Sequence, residues 1–304
     1  MDAGTATDPL DPPFVVRLPE APSAPVVFAS PHSGRVYPEA FLRAARIGPP
    51  CLRSSEDAFI DELFADAPAL GMPLIGACFA RAYVDANRGP WELDPGMFAD
   101  RLPDWVDAGS PRAAAGLGTI ARVVADGEEI YSGKLRFAEA RSRIEALHIP
   151  YHRRLDELVD AAQLGWGVSL LVDCHSMPST AAPAMPGLGG GRADFVVGDR
   201  HGSACDGAIV AVLEDALRAR GHRVLRNDPY AGGFTTRRHG RPSSRRHALQ
   251  VEVNRGLYMD EARLEPLPGF AALREDLRHA MAALRDHMRA TGEARRAAAT
   301  EAPA

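Results

Sequence analysis

A chain of 304 residues with 46% hydrophobic and 25% charged residues has the composition of a folded globular protein and excludes a disordered one. A net charge of −5 argues against sequence-independent binding to nucleic acid, and no apolar run reaches the roughly 20 residues a membrane helix requires.

The opening residues MDAGTATDPLDPPF carry acids where a secretory signal carries bases and lack its apolar segment, so residues 1–12 read as a flexible leader and the cytoplasm as the location. No hinge-like shift in composition divides residues 13–291, which are expected to form a single domain. A strand is expected over 25–29, and VVFASPHSG places His32 just beyond its end. In SSEDAFIDELF a helix is expected over 57–69, with Ser54 or Ser55 as its cap. Glu56 and Asp57 would then lie in its first turn, either complementing the helix dipole or serving as metal ligands.

A strand over 74–79 follows, then a helical pattern over 138–164 that Pro150 should kink or divide. His148 and His152 are four apart, but the intervening proline makes them an unreliable ligand pair, and a structural or surface role suits them better. The strand expected over 169–172 leads into Asp173, Cys174 and His175. Neighbouring strand residues face opposite sides, so Cys174 and His175 do not share one site. Cys174 reads as a small buried hydrophobe rather than a nucleophile, and Asp173 as a candidate partner for a metal ligand.

The Gly- and Pro-rich stretch 182–194 reads as a mobile surface loop, and it lacks the strand and helix that frame a phosphate loop. A strand over 194–197, a helix over 203–220 and a strand over 223–225 come next. The basic run TTRRHGRPSSRRH (235–247) precedes a strand over 248–253, LQVEVNRG, which holds Glu252 and ends at Asn254 and Arg255. A helix over 264–291 and a flexible tail over 292–304 complete the chain. Cys51, Cys78, Cys174 and Cys205 are scattered without CxxC spacing, as reduced thiols are.

This alternation predicts an α/β fold with a largely parallel sheet, whose strand ends can bring His32, His175 and Glu252 together across the sequence. Two histidines and a carboxylate with an open position form a common catalytic zinc set, although no compact HExxH is present.

PHSGRVYPEAF, SEDAFIDELF, YVDANRGP, LVDCHSMPS, YAGGF and RHALQVEVNRGLYMDE, in this order over residues 25–262, resemble the successive motifs of the N-formylglutamate amidohydrolase family. The resemblance implies a three-layer α/β/α sandwich with a mixed, mostly parallel sheet, similar to the zinc carboxypeptidases. It also implies hydrolysis of N-formylglutamate or a similar N-acyl amino acid, one divalent metal ion, most simply zinc, and a place in amino-acid catabolism.

On this resemblance the metal ligands are His32, His175 and an acid of the SED triplet. Asp57 is preferred because related sequences keep an aspartate four residues before the one at Asp61; Glu56 stays as the alternative. Glu252 takes the place of the catalytic glutamate, and Asn87 with Arg88 the place of the pair that grips the substrate carboxylate. Arg122, Arg237, His239 and Arg255, with Arg241 and Arg245, are further candidates for substrate binding, the alternative for the basic loop being a solvated surface. The expected partner is a small N-acyl amino acid, with neither nucleic acid nor membrane. The rivals are another N-acyl or peptide substrate, a noncatalytic ligand-binding protein on the same fold, and a cysteine amidase using Cys174.

Overall fold

A computed structural model gives the fold and describes residues 10–124, 127–185 and 191–301. Most of the expected leader (1–9), the centre of the Gly-rich loop (186–190) and the last residues of the expected tail (302–304) lie outside the described residues.

The strands are β1 (Phe14–Arg17), β2 (Val26–Ser30), β3 (Leu74–Ala77), β4 (Ser169–Met177), β5 (Phe195–Gly198), β6 (Val224–Arg226) and β7 (Arg246–Asn254). They form one sheet in the order β1-β3-β2-β4-β7-β5-β6. β2 runs parallel to β4, β4 to β7 and β5 to β6, whereas β5 is antiparallel to β7, so the sheet is mixed. A short hairpin, β8 (Met259–Asp260) and β9 (Glu265–Pro266), stands apart from it. The helices are α1 (Glu39–Ala44), α2 (Pro49–Arg53), α3 (Ile60–Leu63), α4 (Pro111–Ala114), α5 (Phe137–Arg143), α6 (Ile149–Trp166), α7 (Gly207–Ala219), α8 (Phe234–His239) and α9 (Phe270–Glu301). The fold is α/β, a mixed sheet flanked by helices. No described helix is long and apolar enough to cross a membrane.

Two compact units emerge from the packing. One comprises Met1–Val15, Pro31–Glu56 and Gly76–Arg154; the other comprises Val16–Ser30, Asp57–Ile75 and Leu155–Ala304. In the first, Arg143 is buried with its guanidinium 4.3 Å from the Tyr83 ring centroid, and it donates to the Tyr131 hydroxyl at 2.7 Å. A buried cation of this kind is tolerated because aromatic faces and hydrogen bonds replace its water.

In the second unit α3, α7 and α9 cover an apolar core built from alternate residues of β2, β4 and β7. Asp206 caps α7 by accepting from the Ala208 N–H, and Ile209, Val210, Leu213 and Leu217 recur at helical spacing to meet that core. α9 does the same with Leu273, Leu277, Ala280, Met281, Leu284 and Met288. It runs on past Gly292, where a Cβ would meet the Trp166 ring at 2.6 Å, to Arg296, whose guanidinium sits 4.0 Å from that ring's centroid.

Several expectations need correcting, among them the helix expected over 264–291, which starts at Phe270 and continues to Glu301. The helix expected over 57–69 is a single turn, α3, followed by a 3-10 turn at Pro68–Leu70. Phe59 adopts a left-handed backbone (φ 66°) that blocks an earlier start, and Pro68 supplies no N–H for a continuous ladder. The apolar spacing that suggested a helix still serves burial, since Ala58, Ile60, Leu63, Phe64 and Ala67 all enter the core. Ser54 and Ser55 cap nothing at α3; they close α2, their hydroxyls donating to the carbonyls of Cys51 (2.7 Å) and Leu52 (2.8 Å).

The strand expected over 169–172 instead extends to Met177, because a ladder needs backbone groups and is indifferent to whether the side chains are polar. The helical pattern over 138–164 is divided by a π turn at Ile144–His148, just before Pro150. Pro150 itself falls in the first turn of α6, where its missing N–H costs least.

Leu284 is fully buried in the α9 stripe. Leu284→Ala is expected to cost about 2–5 kcal/mol, read as a lower urea midpoint at unchanged slope. A loss below about 1 kcal/mol would show that this stripe does not hold the core.

Candidate functional site

Strand parity builds the site. Leu170, Val172 and Cys174 of β4 and Leu249, Val251 and Val253 of β7 point into the apolar core. The residues between them, Asp173, His175, Gln250 and Glu252, therefore face the other side. The parallel register sets Asp173 beside Gln250 and His175 beside Glu252, and all four are buried.

His175 lies between two carboxylates. Its Nδ1 is 2.9 Å from Asp57 Oδ2 and its Nε2 is 3.0 Å from Asp173 Oδ2. The second approach is out of line for a hydrogen bond, and neither oxygen of fully buried Asp173 has a hydrogen-bond partner among the described residues. Burial by itself would lower the His175 pKa, but Asp173 and Asp57 together hold it well above the ordinary imidazole value. Asp57 is oriented from behind: its Oδ1 accepts from the Ser176 hydroxyl (3.2 Å) and from Arg255 Nη2 (3.1 Å), while Arg255 Nε donates to Ser176 Oγ (3.0 Å). Oδ2 is thereby turned toward His175.

His32 follows the end of β2 by two residues. Its Nε2 donates to Asp85 Oδ1 at 2.7 Å, which in the neutral ring leaves the lone pair on Nδ1. Asp85 also accepts from the Asn87 N–H (2.8 Å) and from Arg81 Nε (3.1 Å). Burial would raise its pKa, but Arg88, His32 and Arg81 hold the carboxyl well below the usual range. Asp85 was not foreseen from the sequence; the available signal was its place in YVDANR, two residues before Asn87.

His32, Asp57 and His175 are all buried and offer ligand atoms that lie within 4.8 Å of one another, a group that could hold a metal ion. The donor chemistry fits a divalent ion: two imidazoles, each with a carboxylate oxygen within 3.0 Å of its Nε2, plus one carboxylate with one oxygen committed elsewhere. Glu56 points elsewhere, accepting from the Tyr37 hydroxyl at 2.7 Å and from Arg53 at 3.1 and 3.3 Å.

Arg88 is buried, its Nε donating to the Leu117 carbonyl (2.8 Å) and its Nη1 to the Asn87 carbonyl (2.9 Å). His148 and His152 are buried too and support this segment, their Nε2 atoms donating to the carbonyls of Arg88 (2.9 Å) and Ala86 (2.7 Å). Arg122 is held by Asp94 (2.8 Å) and Glu129 (3.3 Å), so its charge is already matched. Arg237 is exposed beside the Phe234 ring, and Arg241 and Arg245 are exposed as well. His239 is buried, and its pKa is drawn down to about 4 chiefly by that burial, with Asp156 opposing the shift. Its imidazole is therefore uncharged at neutral pH. Cys174 lies in the core with its thiol pKa pushed well above the ordinary value by burial and by Asp173, which removes the thiolate that a cysteine amidase needs.

Residues 24–259 match the family model described as N-formylglutamate amidohydrolase. The chain is similar to the N-formylglutamate deformylase of Pseudomonas aeruginosa strain PAO1, with 31% identity over 242 residues, 78% of this chain and 83% of that one. It is similar to the N-formylglutamate deformylase of Pseudomonas putida, with 29% identity over 257 residues, 83% of this chain and 86% of that one. Among solved structures, the N-formylglutamate amidohydrolase of Ralstonia eutropha JMP134 superposes with a TM-score of 0.85 at 37% identity, covering 91% of this chain and 98% of that one.

His239 makes the fold sensitive to acid. The unfolded chain takes up a proton near pH 6.5 whereas the folded chain resists until about 4, so the stability present above 6.5 is lost as the pH falls toward 4. A His239→Asn variant should show a smaller loss of unfolding free energy between pH 7 and pH 5 than the natural chain, by on the order of 1–2 kcal/mol in urea titrations. Equal losses in the two proteins would place the His239 pKa near its ordinary value.

Proposed function

The chain belongs to the N-formylglutamate amidohydrolase family, and from that premise we propose that it is a metal-dependent hydrolase releasing formate and glutamate from N-formylglutamate. The observation that carries the metal part is the buried convergence of His32, Asp57 and His175, each oriented by groups of its own. Zinc is the ion this donor set suits best. When bound, it supplies Lewis-acid chemistry, lowering the pKa of water and polarising the amide carbonyl.

The protein's own residues do the rest. Glu252, next to His175 in the strand register, takes the proton of the attacking water and delivers it to the departing amine. Ionised Asp85 keeps the His32 Nε2 proton in place, and with it the donor nitrogen Nδ1. Arg88 and Asn87 receive the substrate's carboxylate. The two carbonyls that hold the Arg88 fork limit its motion, and a guanidinium fixed in advance binds a carboxylate with less loss of entropy. Arg255 is engaged with Asp57 and Ser176, and in this reading it orients the metal ligand in place of the substrate.

Metal analysis and assays against a panel of N-formyl and N-acetyl amino acids test this reading. One divalent ion per chain and preference for N-formylglutamate are expected, and His175→Ala should lose both metal and activity. A natural chain that binds no divalent ion, or a fully active His175→Ala, would overturn it. Asp85→Asn should weaken metal binding by about 10–100-fold in competition with a chromophoric chelator. Arg88→Ala should impair substrates with a free carboxylate far more than the corresponding amides; equal losses on both would remove Arg88 from the carboxylate role.

A further inference from the structure

The YAGGF stretch, residues 230–234, is among the motifs for which metal binding gives no reason. It is held against the end of β5. A Cβ on Gly198 would come within 2.6 Å of the Ala231 carbonyl carbon, the Arg200 N–H donates to the Ala231 carbonyl at 2.7 Å, and Arg200 Nη1 donates to the Gly232 carbonyl at 3.2 Å. Gly232 has φ 119°, a conformation that favours glycine. From this fixed loop the Gly233 N–H donates to Gln250 Oε1 at 2.9 Å, and Gln250 Nε2 donates to Glu252 Oε1 at 2.8 Å.

The amide orientation follows from chemistry. A backbone N–H can only donate, so the Gln250 oxygen must face Gly233 and its NH₂ must face Glu252. Gln250 is buried on the polar side of β7, beside Asp173 in register, which leaves no room for the amide to turn over without losing both bonds. A packed loop, an amide and a carboxylate thus form one line of hydrogen bonds ending on Glu252.

We infer that Gln250 is the positioning residue for Glu252, and that the YAGGF loop is there to hold Gln250. This rests on the reading of Glu252 as the proton-transfer group. By committing Oε1, Gln250 sets the plane of the carboxylate, and a misplacement of about 1 Å at a reacting group can cost on the order of 100-fold in rate.

Two substitutions separate positioning from mere support. Gln250→Met keeps the length and a weak thioether acceptor for the Gly233 N–H and removes the donation to Glu252 without adding charge; Gln250→Leu removes both. The expected result is a fall in kcat of about 10–100-fold for each on N-formylglutamate, with KM within about twofold and metal content unchanged. Gln250→Met should also melt closer to the natural chain than Gln250→Leu does. Natural-level kcat in a folded Gln250→Met protein would overturn the inference, as would a loss seen only as lower stability or metal content. Glu252→Gln, assayed alongside, tells the two failures apart. If that variant is inactive while both Gln250 variants keep natural kcat, only the positioning role fails; if it is fully active, the role of Glu252 fails and the inference with it.

Discussion

The parallel pairing of β4 with β7 is the constraint on which the site depends. Every second residue of these strands must be apolar to hold α3, α7 and α9, and the residues between them are thereby directed to the opposite face. There the register places His175 beside Glu252 and Asp173 beside Gln250, so one ladder spaces four polar groups that no local turn could set so rigidly. A slip of one residue would send the apolar set to the polar face and the site into the core, which is why the register is strongly specified.

Burying so many ionisable groups is costly unless each is compensated. The structure answers with short chains of opposite charge. Asp85 is matched by Arg88, Arg81 and His32; Asp57 by Arg255; Glu56 by Arg53. Asp173 differs, lying 3.0 Å from His175 and making no hydrogen bond of its own among the described residues. The compensation also fixes orientation, since a histidine whose Nε2 is engaged presents Nδ1, and an aspartate whose Oδ1 is engaged presents Oδ2.

Much of this was legible in the sequence, and the failures have common causes. Apolar runs located all the inner strands, because burial on both faces demands them. The end of β4 was misjudged at Val172 because polarity was taken for an end of pairing. The helix at 57–69 was overextended because its periodicity reports burial and not backbone conformation, which Phe59 and Pro68 control. Among site residues, the imidazoles and acids of the motifs could be named individually. Asp85, Ser176 and Gln250 could not, because only their contacts in the folded chain single them out.

By itself the sequence determined the α/β class, the family and the residue types able to bind a metal and move a proton, since these follow from local pattern and from side-chain chemistry. Only the tertiary structure decided that Asp57 and not Glu56 lies with the two histidines, that His32 turns its Nε2 to Asp85, and that Arg255 and Gln250 hydrogen-bond Asp57 and Glu252. Adjacent acids are equivalent in composition. They become different when one is claimed by Tyr37 and Arg53 and the other is held by Ser176 and Arg255, partners brought from positions distant along the chain.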